Sequence, residues 1–126
     1  MNYFCSFSEA IRKGATIRPQ GAGDFLRDGK TCSVGAGMEA IFGEIGPRSY
    51  DAVLSMYPYL QERANGCPAC SLGKWATVAG ILFHLNDNHA WSRARVADWL
   101  ESYEESIGYV TITETEPASV NKLAFV

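Results

Sequence analysis

The stretch Lys74–Tyr103, KWATVAGILFHLNDNHAWSRARVADWLESY, holds two helical signals separated by a polar break, and its reading decides the fold. In the first half Trp75, Val78, Ala79 and Leu82 form one stripe, while Ile81, Phe83 and Leu85 are apolar too. A helix apolar on nearly all sides belongs in the interior, so the pattern predicts a central buried helix from Lys74 to Asn86. Ser92 then stands as N-cap of the next helix. Trp91 before it is placed to pack on Val96 as a hydrophobic staple. Val96, Trp99, Leu100 and Tyr103 repeat at i, i+3, i+4 and i+7, one face of a helix. Glu101, Glu104 and Glu105 lie mostly on the other side, read as a solvated face. The two helices are expected to form an antiparallel pair at the centre of the domain.

Toward the N-terminus, Ser6-x-x-Glu9 fits a capping box. Phe7, Ala10, Ile11 and Gly14 follow it at helical spacing, and Pro19 disfavours helical backbone at Arg18. Phe25–Cys32 reads as a hairpin turned at Asp28-Gly29, a dipeptide suited to positive backbone angles. A helix from Val34 to Phe42 stops at Gly43. Its internal Gly35 and Gly37 point to close packing against another backbone. A third helical stretch runs from Pro47 through Met56, is interrupted at Pro58, and closes at Asn65-Gly66. Beyond Gly108, Tyr109–Thr113 alternates as an edge strand or tail would, and Val120–Val126 is apolar enough to dock. The whole reads as one domain over residues 1–126, mainly α (α+β minor), with about five helices and a small β-hairpin.

Composition narrows the function classes. The chain is 47% hydrophobic and 20% charged, as an ordinary globular domain is. It has neither an apolar run of membrane-spanning length nor the basic-then-apolar start of a signal peptide, so a cytoplasmic location is expected. Of the eleven basic residues ten lie at or before Arg95, scattered, whereas six of the fourteen acidic residues follow it. An acidic end and a dispersed positive charge argue against a nucleic-acid surface.

The chemistry concentrates in Cys67–His89, CPACSLGKWATVAGILFHLNDNH, with spacing C-x2-C-x13-H-x4-H. A Cys-x-x-Cys turn brings two sulfurs to one point, and Pro68 stiffens it. Two histidines can meet that point from a helix and the loop after it, giving the four soft and borderline donors that zinc prefers. Cys67, Cys70, His84 and His89 are therefore the candidate metal ligands. His84 shares a helix side with Thr77 and Gly80, away from the Trp75–Leu82 stripe. Asp87 is a substitute ligand, and Cys32 could replace either histidine. Two other readings stay open: a redox dithiol of Cys67 and Cys70, and plain reduced thiols. Cys32 itself lies near a helix N-terminus, where a thiolate is favoured. With His84 or His89 it would make a Cys–His nucleophile. The glycines of GAGD and GAGM do not have phosphate-loop spacing.

Trp75, Ile81 and His84, spaced aromatic-x5-aliphatic-x2-His, resemble the C2H2 zinc finger across about 23 residues. The first gap is one residue longer than usual there. The helix ATVAGILFHL offers no Arg, Lys, Asn or Gln to reach base edges, so sequence-specific DNA binding is not expected. The blocks SFSEAIRKGATIRPQG, DGKTCSVGAGMEAI, CPAC and HLNDNHAWSRARVADWL together resemble a group of small bacterial and phage proteins. That resemblance spans residues 6 to 103 and implies a prokaryotic, phage or mobile-element origin but no activity. The reading that results is a non-enzymatic binding or regulatory module with a structural zinc, whose partner is another protein or a second copy. The alternative is a small cysteine-dependent enzyme or thiol redox protein.

Overall fold

Capping and turn chemistry set the element boundaries. The computed structural model describes residues 1–71 and 76–109. Among them run α1 (Phe7–Gly14), the strands β1 (Leu26–Arg27) and β2 (Lys30–Thr31), α2 (Ser33–Phe42), α3 (Pro47–Met56), a 3₁₀ turn (Pro58–Gln61), α4 (Val78–Asp87) and α5 (Arg93–Ser106). The architecture is mainly α with one two-stranded antiparallel hairpin.

At α1 the Ser6 hydroxyl oxygen accepts from the Glu9 N–H at 3.3 Å. Glu9 reaches back to the N–H of Cys5 at 3.3 Å, one residue before the cap's own N–H. Asp28 and Gly29 have φ of 54° and 75°, the left-handed pair a two-residue turn requires. Leu26 therefore stands opposite Thr31, and Arg27 opposite Lys30. Cys32 caps α2, its sulfur accepting from Gly35 N–H at 3.3 Å.

The tightest helix pairing is α1 on α2, and α5 lies chiefly on α1 rather than forming a central pair with α4. Glycine lets α2 approach α1 and the loop before β1 this closely. A β-carbon at Gly14 would fall 1.8 Å from the Ala36 carbonyl oxygen, and one at Gly35 would fall 2.1 Å from that of Phe25. Neither backbone approach tolerates a side chain. Phe7, Ile11, Met38, Ile41, Leu82 and Leu100 are fully buried across these contacts.

α4 begins at Val78, not at Lys74 as its apolar pattern suggests. The Thr77 hydroxyl oxygen accepts from Gly80 N–H at 3.0 Å and caps the helix there. Ala76 and Thr77 are instead held by a neighbouring segment: Ala64 N–H donates to Ala76 O, and Val78 N–H to Glu62 O, each at 2.8 Å. Trp75 lies outside the described residues. Ser92 caps α5 as expected, accepting from Arg95 N–H at 3.1 Å. Trp91 packs against the core, and the Arg95 guanidinium lies 3.8 Å above its ring centroid.

A further assignment is overturned. Glu104 is not on the solvated face but 1% exposed. It stands i+4 from Leu100 and i+7 from Ala97, both buried, so helical geometry carries it inward. Its carboxylate accepts from the Ser8 hydroxyl at 2.6 Å, from Ser8 N–H at 3.2 Å and from the Tyr59 hydroxyl. Tyr59 in turn accepts from Phe7 N–H at 3.2 Å. The anion thus answers unpaired N–H groups and the positive end of α1. Burial raises its pKa above the ordinary carboxylate value, although the hydrogen bonds from Ser8 and Tyr59 act the other way.

At the other end of α1, Arg93 is buried and donates to the carbonyls of Ala15 and Arg18 at 3.3 and 2.7 Å, and to Thr31 Oγ1 at 2.9 Å. The alternating segment Tyr109–Thr113 and the apolar Val120–Val126 lie outside the described residues apart from Tyr109. Its ring packs on Tyr59 with centroids 4.7 Å apart.

Candidate metal centre

An isolated antiparallel bridge between Arg63 and Thr77 closes the segment that carries Cys67 and Cys70. Gly66, with φ of 115°, turns the chain into the Cys-x-x-Cys sequence. The Ala69 N–H donates to Cys67 Sγ at 3.3 Å, the backbone-to-sulfur contact expected of such a turn. The bridge returns this turn to α4 near His84.

All four sequence-chosen ligands converge. The ligand atoms of Cys67, Cys70, His84 and His89 lie within 4.8 Å of one another, close enough to hold a metal ion. Cys70 Sγ is 3.2 Å from His84 Nε2, and the Nε2 atoms of His84 and His89 are 3.1 Å apart. A tetrahedron with zinc bonds of about 2.0–2.3 Å has edges of roughly 3.3–3.8 Å, so the observed spacings bracket the required ones. The two imidazole planes stand at 88°, which lets both rings aim a nitrogen at one point without stacking. Cys67 is buried, the histidines are half-buried and Cys70 is exposed.

One contributor was not singled out from the sequence. Asn88 caps the C-terminus of α4, and its Oδ1 lies 3.2 Å from His84 Nδ1. An amide oxygen only accepts, so in this contact it would hold the proton on Nδ1 and leave the Nε2 lone pair for a metal, as outer partners of metal-binding histidines do. Its signal in the sequence was the i+4 spacing from His84.

The other candidates fall elsewhere. Neither Asp87 nor Cys32 belongs to the ligand cluster found among the described residues. Asp87 Oδ1 accepts from Asn86 Nδ2 at 2.8 Å. Cys32 is 1% exposed, and burial pushes its thiol pKa up despite the N–H groups around its sulfur. The helix N-terminus therefore does not make it a ready thiolate. His84 faces Cys70, His89 and Asn88, so the Cys32–His84 pairing weighed for a nucleophile is not among its contacts.

These features define a small, mainly helical domain carrying a Cys2His2 cluster with the geometry of a metal site. No protein-family model, curated protein or solved structure matches the chain.

Among the described residues no helix is long and apolar enough to cross a membrane.

Proposed function

We propose that Cys67, Cys70, His84 and His89 hold one zinc ion with a structural role, in a non-enzymatic binding or regulatory module of the cytoplasm. The single observation that carries this is the convergence of four soft and borderline donor atoms within 4.8 Å. Four protein ligands close a tetrahedral site, whereas catalytic zinc keeps one position for water. A redox dithiol needs only the two sulfurs; two histidines arriving at the same point favour a metal. Thiolate ligands also suit a reducing compartment.

The ion would tie the turn at residues 67–70 to α4 and to the loop after it, a segment otherwise fastened by the short pairing at residues 62–64 and 76–78. Fixing that surface suits recognition of another protein or a second copy of this chain. α4, with sequence VAGILFHLND, presents no Arg or Lys for reading base edges. Metal analysis of protein purified without added chelator tests the reading. About one zinc per chain, and a melting temperature lowered by chelation, are expected. Metal-free protein that neither takes up zinc nor gains stability from it would refute the reading.

A further inference from the structure

Between the loop leading into the hairpin and the C-terminal part of α4 lies a second feature, a cavity of about 190 Å³. Its lining residues are Gly23, Asp24, Phe25, Cys32, Phe83 and Asp87, none of them in the Cys2His2 cluster. Two aromatic rings and two carboxylates among six residues make a chemically directed wall. The rings of Phe25 and Phe83 are 5.8 Å apart and tilted by 44°. Tyr50 backs both, at 5.3 Å from Phe25 and 5.9 Å from Phe83, so the apolar wall is braced.

The two acids differ. Asp24 is about half exposed and already paired with Arg27 at 3.1 Å. Asp87 is the last residue of α4, where unpaired carbonyls and the helix dipole add to its negative charge. One of its oxygens accepts from Asn86.

We propose that this cavity binds a small organic cation of the alkylammonium class, with its aliphatic part against Phe25 and Phe83 and its ammonium at Asp87. An anion would meet two carboxylates and the negative end of a helix. A neutral apolar guest would gain nothing from Asp87, which is exposed and keeps its water. A cation satisfies the carboxylate, and its positive charge is also attracted by aromatic rings. Size agrees, because an engineered cavity of roughly 150 Å³ admits benzene, and a four-carbon amine has a similar volume.

The test is a backbone-amide NMR titration of the full chain with n-butylammonium, butan-1-ol and butyrate, three ligands of like shape and different charge. Saturable shifts confined to residues 23–25 and 83–87 are expected for butylammonium. Its affinity should exceed that of butan-1-ol by about tenfold or more, the effect of one close charge pair at a protein surface, and butyrate should not bind. Asp87→Asn, which keeps an oxygen for Asn86, should abolish the preference for ammonium over alcohol, and Asp24→Asn should reduce it less. Equal affinities for the amine and the alcohol in the wild-type chain would overturn the proposal. So would the absence of saturable shifts, or a preference that survives Asp87→Asn.

Discussion

His84 and His89 present their Nε2 atoms to each other across 3.1 Å, with ring planes 88° apart. Asn88 Oδ1 faces His84 Nδ1; with the proton there, Nε2 directs a lone pair at the histidine opposite. A cation between the two nitrogens would take both lone pairs in place of that contact. The same cation would draw in Cys70 Sγ, 3.2 Å from His84 Nε2. Cys67→Ser should therefore destabilise the fold by about 3 kcal/mol or more in zinc-containing buffer, because metal-binding energy is also folding energy. The loss should nearly vanish when wild type and variant are compared in chelator. Urea denaturation under both conditions checks this, and an effect within about 0.5 kcal/mol in zinc would show that the sulfur ligates nothing.

Asn88 should matter for affinity rather than for folding. Asn88→Ala removes the acceptor that fixes the His84 tautomer, and loss of such outer partners weakens metal binding by about 10–100-fold. Asn88→Asp keeps an acceptor oxygen and should retain tight binding. Competition with a chromophoric zinc chelator measures both. Equal affinities for the alanine variant and the wild type would remove Asn88 from the site.

Glu104 gives the chain a pH dependence whose direction is fixed. Burial places its folded-state pKa above the ordinary value of 4.5, so the folded chain holds this proton more tightly than the unfolded chain does. That contribution is fully present below the ordinary value and is lost as pH rises through the raised one. Glu104→Gln has no such slope. The stability of wild type minus that of the variant should thus be most favourable to wild type near about pH 4 and decline toward about pH 8. All other groups are common to both proteins and cancel in the difference. Glu104→Ala, which strands the donors of Ser8 and Tyr59, should cost about 2–3 kcal/mol. Denaturant titrations across that pH range check both expectations, and a difference that grows with pH would reverse the assignment.

What the sequence revealed and what it hid divide along physical lines. Local signals were legible: the Ser6 and Ser92 caps, the Asp28-Gly29 turn and the Gly43 stop each depend on a few adjacent residues. The convergence of Cys67, Cys70, His84 and His89 was legible as well, because Cys-x-x-Cys and the two histidines carry donor chemistry that few other roles require in that spacing. The start of α4 was not, since the backbone partners of Ala64 and Val78 hold residues 76–77 extended, and an apolar pattern says nothing of them. The burial of Glu104 depends on Ser8 and Tyr59, 96 and 45 positions away. Nor was the α1–α2 contact visible in full: Gly37, which meets the Phe7 ring, hinted at a close approach, but Gly14 read only as the end of a helix face.

Gly14 supplies the sharpest test of that packing. A β-carbon there would sit 1.8 Å from the Ala36 oxygen and 2.3 Å from its carbonyl carbon, both backbone atoms that no rotamer change can move. Gly14→Ala must push α1 and α2 apart, and overpacking of this kind costs about 1–3 kcal/mol, occasionally more. Gly46 is the matched control, because its φ of 171° is ordinary extended backbone and nothing lies within 4 Å of a β-carbon placed there. Gly46→Ala should stay within about 0.5 kcal/mol of wild type. Chemical denaturation of the two variants side by side separates a true helix–helix contact from a general intolerance of glycine replacement. Equal stabilities would mean that α1 and α2 do not approach through Gly14.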